Sequence, residues 1–259
     1  MSLVELAVDD GIATATLNRP EVRNAIDDAT RVELAAVLEQ VSHDKAVRAL
    51  ILTGAGKAFC AGGDIRAMQQ RLEAPAGEVA GNGWQRQRHT HHVIDALHAL
   101  EKPTIAAVNG PAAGLGCDVA LCCDFIVASE AASFSMSYLL RGLIPDGGGL
   151  YFLPRRVGLP RAKELIFSAR RVAAEEALAI GLADRLAKPD QLLAEARRWA
   201  GELTQGSTIA LALAKSILDQ SFELSAEDVF ALGGQAQAIC YTSTEHREAV
   251  ASFLKKDSS

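Results

Sequence analysis

The stretch Leu143-Ile144-Pro145-Asp146-Gly147-Gly148-Gly149-Leu150 sets one carboxylate between a rigid proline and three residues without side chains. Pro-Asp-Gly is ordinary turn chemistry: Pro fixes φ, Asp bonds its own backbone and Gly supplies positive φ. On that reading Asp146 closes a turn and caps the helix that follows. Three glycines exceed what a turn needs, however, and such a run lets backbone N–H groups approach a ligand closely or receive an anion at a helix start. The eight residues alone leave both readings open.

Two further glycine-containing turns each follow an apolar segment: GAGKAFCAGGDI from Gly54 and NGPAAGLGCD from Asn109. The first contains Gly-x-Gly-Lys but lacks the Walker spacing and the Ser or Thr after Lys, and Gly114-x-Gly116 is too short for a dinucleotide fingerprint. Instead, each turn can aim one backbone N–H at a shared oxygen, Gly63 from the first and Leu115 from the second. Leu115 opens a helix whose dipole favours negative charge, so the pair reads as an oxyanion hole. The run His89-Thr90-His91-His92 puts His89 and His92 on one helical face, but no carboxylate or Cys stands at ligand spacing, so a solvated face is expected and no metal.

These loops need a scaffold, and the chain supplies one. With 259 residues, 49% of them hydrophobic, it can bury a large core as one big domain or one domain with an appendage. Residues 12–17, 49–53 and 104–109 read as buried parallel strands. Between them Asp27 can cap a helix carrying Leu34, Leu38 and Val41 on one face, and residues 89–100 offer Val93, Leu97 and Leu100 on another. Residues 66–88 carry no decisive signal and read as a loop. Strands alternating with helices imply an α/β fold. Beyond about residue 160 the strand signals fade, leaving helical segments at 161–168, 174–181, 189–204, 208–220, 226–240 and 244–255, with no low-complexity linker and no clear repeat. The apolar faces of the tail imply burial against a neighbour, such as another subunit.

A net charge of −6 counts against a nucleic-acid partner, which needs clustered Lys and Arg. The N-terminus lacks a basic start with a long apolar run, and no 18-residue uncharged apolar stretch follows, so a cytoplasmic, membrane-free protein is expected. Cys60, Cys117, Cys122, Cys123 and Cys240 form neither an even framework nor a CxxC pair, and are expected as reduced, mostly buried thiols.

In order and spacing, NRPEVRNAID, LTGAGKAFCAGGDI, KPTIAAVNGPAAGLG, GLIPDGGG and LPRRVG resemble the enoyl-CoA hydratase/isomerase (crotonase) superfamily over essentially the whole chain. The resemblance implies a crotonase-like spiral of ββα turns over residues 1–200 that binds acyl-CoA. A C-terminal helical trimerisation region, residues 201–259, follows, giving a homo-oligomer that is a trimer or a dimer of trimers. It implies that the amides of Gly63 and Leu115 hold a thioester oxygen, that Val22, Ala61, Asp64 and Ile65 touch CoA, and that Phe253 and Lys256 complete its pocket. No metal or organic cofactor is implied, since CoA arrives with the substrate.

Charge that develops on the thioester oxygen can be stabilised by roughly 3–4 kcal/mol per preorganised donor, and a carboxylate must then move a proton. The superfamily's hydratases use two glutamates there; this chain has Asp118 and Tyr138 instead. Asp146 lies where dienoyl-CoA isomerases and the ring-opening phenylacetate-pathway isomerases carry a catalytic aspartate, and Asp118 matches the other aspartate of the former. Relocation of a C=C bond is therefore the first reading, with Asp146 as acid/base, Asp118 assisting and Tyr138 orienting substrate. A hydratase with altered carboxylates is the second. Aryl-CoA dehalogenases, with a His at the position of His91 and a nucleophilic Asp at that of Asp146, give a third. A non-catalytic binding protein is the fourth.

Overall fold

The computed structural model describes residues 2–256, apart from the side chains of Ala76 and Lys256. The chain divides into two compact units, Met1–Ala200 and Gly201–Ser259. The first opens with a hairpin in which Asp10 and Gly11, at φ 48° and 73°, join β1 (Val4–Asp9) to β2 (Ile12–Leu17). Two successive left-handed residues match the right-handed strand twist, which is why Asp-Gly serves there.

After β2 the chain crosses through α1 (Asp28–His43) and returns as β3 (Ala49–Gly54), parallel to β2 from Ile12 opposite Ala49 to Leu17 opposite Gly54. Asp27 caps α1 by accepting from Thr30 N at 2.8 Å, and Leu34, Leu38 and Val41 face the core. The continuous apolar run of β3 follows from burial on both faces, as in other parallel sheets.

The segment expected as a loop at 66–88 is helical instead: α2 (Ile65–Leu72) is followed by the long α3 (Ala76–His98), which absorbs the expected helix at 89–100. Three glycines and mixed polarity between 77 and 88 hide the period from sequence, whereas Val93 and Leu97 dock the C-terminal half of α3 on the core. Then come β4 (Thr104–Val108), β5 (Pro111–Ala113), α4 (Leu115–Cys122), β6 (Phe125–Ser129) and β7 (Ser133–Ser135). Next are α5 (Gly149–Val157), α6 (Leu159–Ser168), β8 (Val172–Ala173), α7 (Ala174–Ala179), β9 (Arg185–Ala187) and α8 (Leu192–Leu203).

One sheet has the order β1-β2-β3-β4-β6-β9 and the other β5-β7-β8. Strands β8 and β9 correct the all-helical expectation beyond residue 160. Two or three residues are too few to show a period of two, and their pairing with β7 and β6 is what makes them strands. The second unit contains α9 (Thr208–Leu218), α10 (Ala226–Thr242) and α11 (Thr244–Lys256). Ser225 and Asp228 start α10 with reciprocal capping bonds. Among the described residues, no helix is long and apolar enough to cross a membrane. Cys60, Cys117, Cys122 and Cys123 are buried free thiols and Cys240 is a half-buried one; burial pushes the Cys60 thiol up to about 12.

Candidate active site

Three chain segments are stitched together by backbone hydrogen bonds. Cys60 N donates to Pro111 O (3.2 Å) and Ala113 N to Cys60 O (3.0 Å), tying the loop after β3 to β5. On the loop's other side, Ile26 N donates to Gly62 O (2.8 Å), Asp64 N to Ile26 O (3.1 Å) and Ala61 N to Arg23 O (2.9 Å). Buried Asn24 fixes the same junction by donating to Ala55 O at 2.9 Å and Ala58 O at 2.8 Å. Gly62, at φ 97°, lies where a Cβ would come within 2.6 Å of Ala113 O and 3.4 Å of Leu115 N, so only a bare backbone lets the two loops meet.

The amides of Gly63 and Leu115 emerge from this stitching with no acceptor among the described residues. Leu115 is the first residue of α4, whose leading N–H groups have no intrahelical partner. Both residues line one small cavity of about 50 Å3, with Ala61, Ile65 and Met68 on one wall and Tyr138 and Leu143 on the other. That is the size of a functional group, not of a whole acyl-CoA. Among the described residues no cluster of His, Cys, Asp or Glu is arranged to hold a metal.

Behind the cavity wall lies Asp118, one turn into α4 and fully buried. Tyr138 donates its hydroxyl to Asp118 Oδ2 at 2.5 Å and Gly147 N donates to the same oxygen at 3.0 Å, while Oδ1 makes no hydrogen bond of acceptable geometry. Burial pushes the Asp118 carboxyl up to about 7 against the Tyr138 bond, which pulls it down; the Asp146 charge adds to the rise. Burial, then the charges of Asp118 and Asp146, drive Tyr138 above the usual phenol range. Asp118 is thus not a helix residue satisfied by local bonds, and Tyr138 is more than a packed aromatic.

The glycine run is explained by Asp118. A Cβ on Gly147 would meet Leu115 Cδ1 at 2.4 Å and Asp118 Oδ2 at 2.7 Å, and one on Gly149 would meet Asp118 Oδ1 at 2.4 Å. Gly148, at φ 101°, makes the turn and is itself the N-cap of α5. Asp146 therefore does not cap α5, which corrects the turn-and-cap reading. Its Oδ2 accepts from Gln87 Nε2 and pairs with Arg86 Nη2 at 3.4 Å, both on α3. Tyr138 lies within hydrogen-bonding influence of both aspartates.

His91 Nε2 lies 2.9 Å from the carbonyl of Asp146; a carbonyl only accepts, so this nitrogen carries the proton and braces the turn. Ala61 and Ile65 reach the cavity, while Val22 sits on the neighbouring segment that receives the Ala61 amide's bond one residue on. The Asp64 side chain is spent on capping α2 and pairing with Arg19 at 3.3 Å. Phe253 is exposed on α11, and the side chain of Lys256 lies outside the described residues. Arg86, Gln87 and Asn24 are the additions sequence reasoning lacked. Asn24, left-handed at φ 58°, was the readable one, because Asn is enriched in that region.

The family model described as enoyl-CoA hydratase/isomerase matches residues 7–259. The chain is 34% identical over 252 residues to a crotonyl-CoA hydratase of Syntrophomonas wolfei, covering 97% of this chain and 94% of that one. It is 35% identical over 258 residues to a 1,2-epoxyphenylacetyl-CoA isomerase of Escherichia coli, covering 100% and 97%. The crystal structure of an enoyl-CoA hydratase/isomerase from Cupriavidus metallidurans superimposes with a TM-score of 0.91 at 37% identity, covering 99% of this chain and 94% of that one.

Proposed function

Since the chain belongs to the enoyl-CoA hydratase/isomerase family and carries its fold, we propose that it shifts the C=C bond of an enoyl-CoA through a thioester enolate. The observation that supports this most is the pair of acceptor-free amides, Gly63 and Leu115, facing a cavity whose opposite wall is Tyr138. Asp146 takes the proton from C2 of a 3-enoyl-CoA. The electron pair passes into the thioester carbonyl, whose oxygen the two N–H groups hold, and the dienolate is reprotonated at C4. Asp118, raised to about 7, keeps a second proton that Tyr138 presents at the cavity wall. No metal or organic cofactor enters these steps, and CoA comes with the substrate, with Val22, Ala61, Asp64, Ile65, Phe253 and Lys256 as its proposed contacts. The cytoplasm is the proposed location.

Hydration is the second reading, favoured by relatives that bear hydratase names and by an Asp118 able to give a proton near neutrality. Dehalogenation has less support, because His91 already donates to a backbone carbonyl instead of activating water. Product analysis separates the first two. The isomerase reading expects 3-enoyl-CoA to yield 2-enoyl-CoA, with 3-hydroxyacyl-CoA absent or slow to form. Rapid conversion of 2-enoyl-CoA to 3-hydroxyacyl-CoA, with 3-enoyl-CoA left untouched, makes the protein a hydratase.

A further inference from the structure

We infer that the acyl group this enzyme takes ends in a carboxylate, received by a guanidinium cluster beside Asp146; the inference rests on the enoyl-CoA reading above. Three arginines from three helices converge there: Arg31 of α1, Arg71 of α2 and Arg86 of α3. Arg31 is 3% exposed, and its Nε is buried with no hydrogen-bond partner. Its Nη1 pairs with Asp28 at 2.5 Å, and the other Asp28 oxygen meets Arg71 at 3.8 Å. Arg86 pairs with Asp146 at 3.4 Å. Arg31 feels the charges of both Arg86 and Arg71, so the guanidiniums share one neighbourhood. Asp64 also acts on Arg71, but its carboxylate is held by Arg19 and by the start of α2.

Three like charges gathered under partial burial repel one another, and a buried N–H without an acceptor is costly. Both features call for an anion that is not part of the resting chain. Asp146 is a poor permanent answer, because a carboxylate held by Arg86 and Gln87 is tied up for proton transfer. A substrate carboxylate could take Arg86 in its place, with the planar fork giving two-pronged contact, and leave Asp146 free.

The geometry of α2 gives the path. Ile65 and Met68 line the cavity of the two amides, and Arg71 lies one further turn along the same face, so the helix leads from thioester to cluster over about 9 Å. On its far side Arg31 borders a groove of about 780 Å3 between α1 and α3, so there is room beside the cluster. The ligand class is therefore the CoA monothioester of a short unsaturated dicarboxylic acid.

The test compares two thioesters of equal carbon number, 3-hexenoyl-CoA and the CoA monothioester of 3-hexenedioic acid, on the wild type and on Arg86→Met. The wild type should favour the carboxylate-ended substrate at least tenfold in kcat/KM, and Arg86→Met should cut that preference at least tenfold. A smaller wild-type preference, or one that Arg86→Met leaves unchanged, overturns the inference. The comparison is a ratio within one protein, so partial loss of folded enzyme cancels; if Arg86→Met does not fold, Arg71→Gln replaces it under the same criterion. Should neither thioester turn over, the double-bond reading fails separately. The same tenfold criterion then applies to the calorimetric Kd values of the two thioesters.

Discussion

At the scale of residues, the two aspartates divide according to their surroundings. Asp118 is sealed in, with Tyr138 and Gly147 donating to one oxygen and its carboxyl raised from 3.8 to about 7. The folded chain therefore holds this proton more tightly than the unfolded chain. That share of stability is complete below pH 3.8 and is lost as pH rises through about 7. Asp118→Asn keeps an oxygen for Tyr138 and Gly147 without the buried charge. It should melt higher than the wild type above pH 7, with the gap closing toward pH 4, as thermal melts across that range would reveal. If the buried proton serves the reaction, the wild-type rate should also fall as pH rises through the same region, and the variant should lose that limb of the profile. Asp146 was legible from its loop as a candidate for chemistry, but its partners were not. Arg86 and Gln87 stand 60 and 59 residues away in a stretch with no apolar period, and only folding brings them to it.

At the scale of elements, the site depends on where backbone groups end up. Leu115 heads α4, a position at which Pro is tolerated because the missing N–H has no helical acceptor. Leu115→Pro should thus retain the helical circular-dichroism signal while turnover falls by about 10²–10³-fold, the scale of a lost oxyanion donor. Gly147→Ala should be destabilised by about 1–3 kcal/mol in denaturant melts, since its methyl would strike Asp118 Oδ2 and Leu115 Cδ1. The sequence made the helix caps and buried strands readable because Asp27, the ALILT run and the Leu34-Leu38-Val41 spacing act locally. It hid β8 and β9, which exist only through pairing with distant strands, and the N-terminal part of α3, whose glycines and mixed polarity blur the period. The two loops could be paired from their glycines, but not the three-way backbone bridge that makes their amides converge.

At the scale of the whole molecule, the second unit carries large apolar side chains toward solvent. Phe230 of α10 is 76% exposed, and Ile239, Tyr241 and Phe253 are exposed with it. Helices that leave such faces open call for a covering surface. Light scattering should accordingly give a trimer or a dimer of trimers at micromolar concentration, and a stable monomer would contradict that assembly. The central claim is enolate formation by Asp146 against the amides of Gly63 and Leu115, and exchange of the C2 proton with solvent reports it without waiting for a product. In D2O the wild type should incorporate deuterium at C2 of a 3-enoyl-CoA, followed by NMR. Asp146→Asn should slow that exchange at least about a hundredfold while leaving CoA-thioester affinity unchanged. Exchange in Asp146→Asn at the wild-type rate would contradict the account and send the search for the base to Asp118.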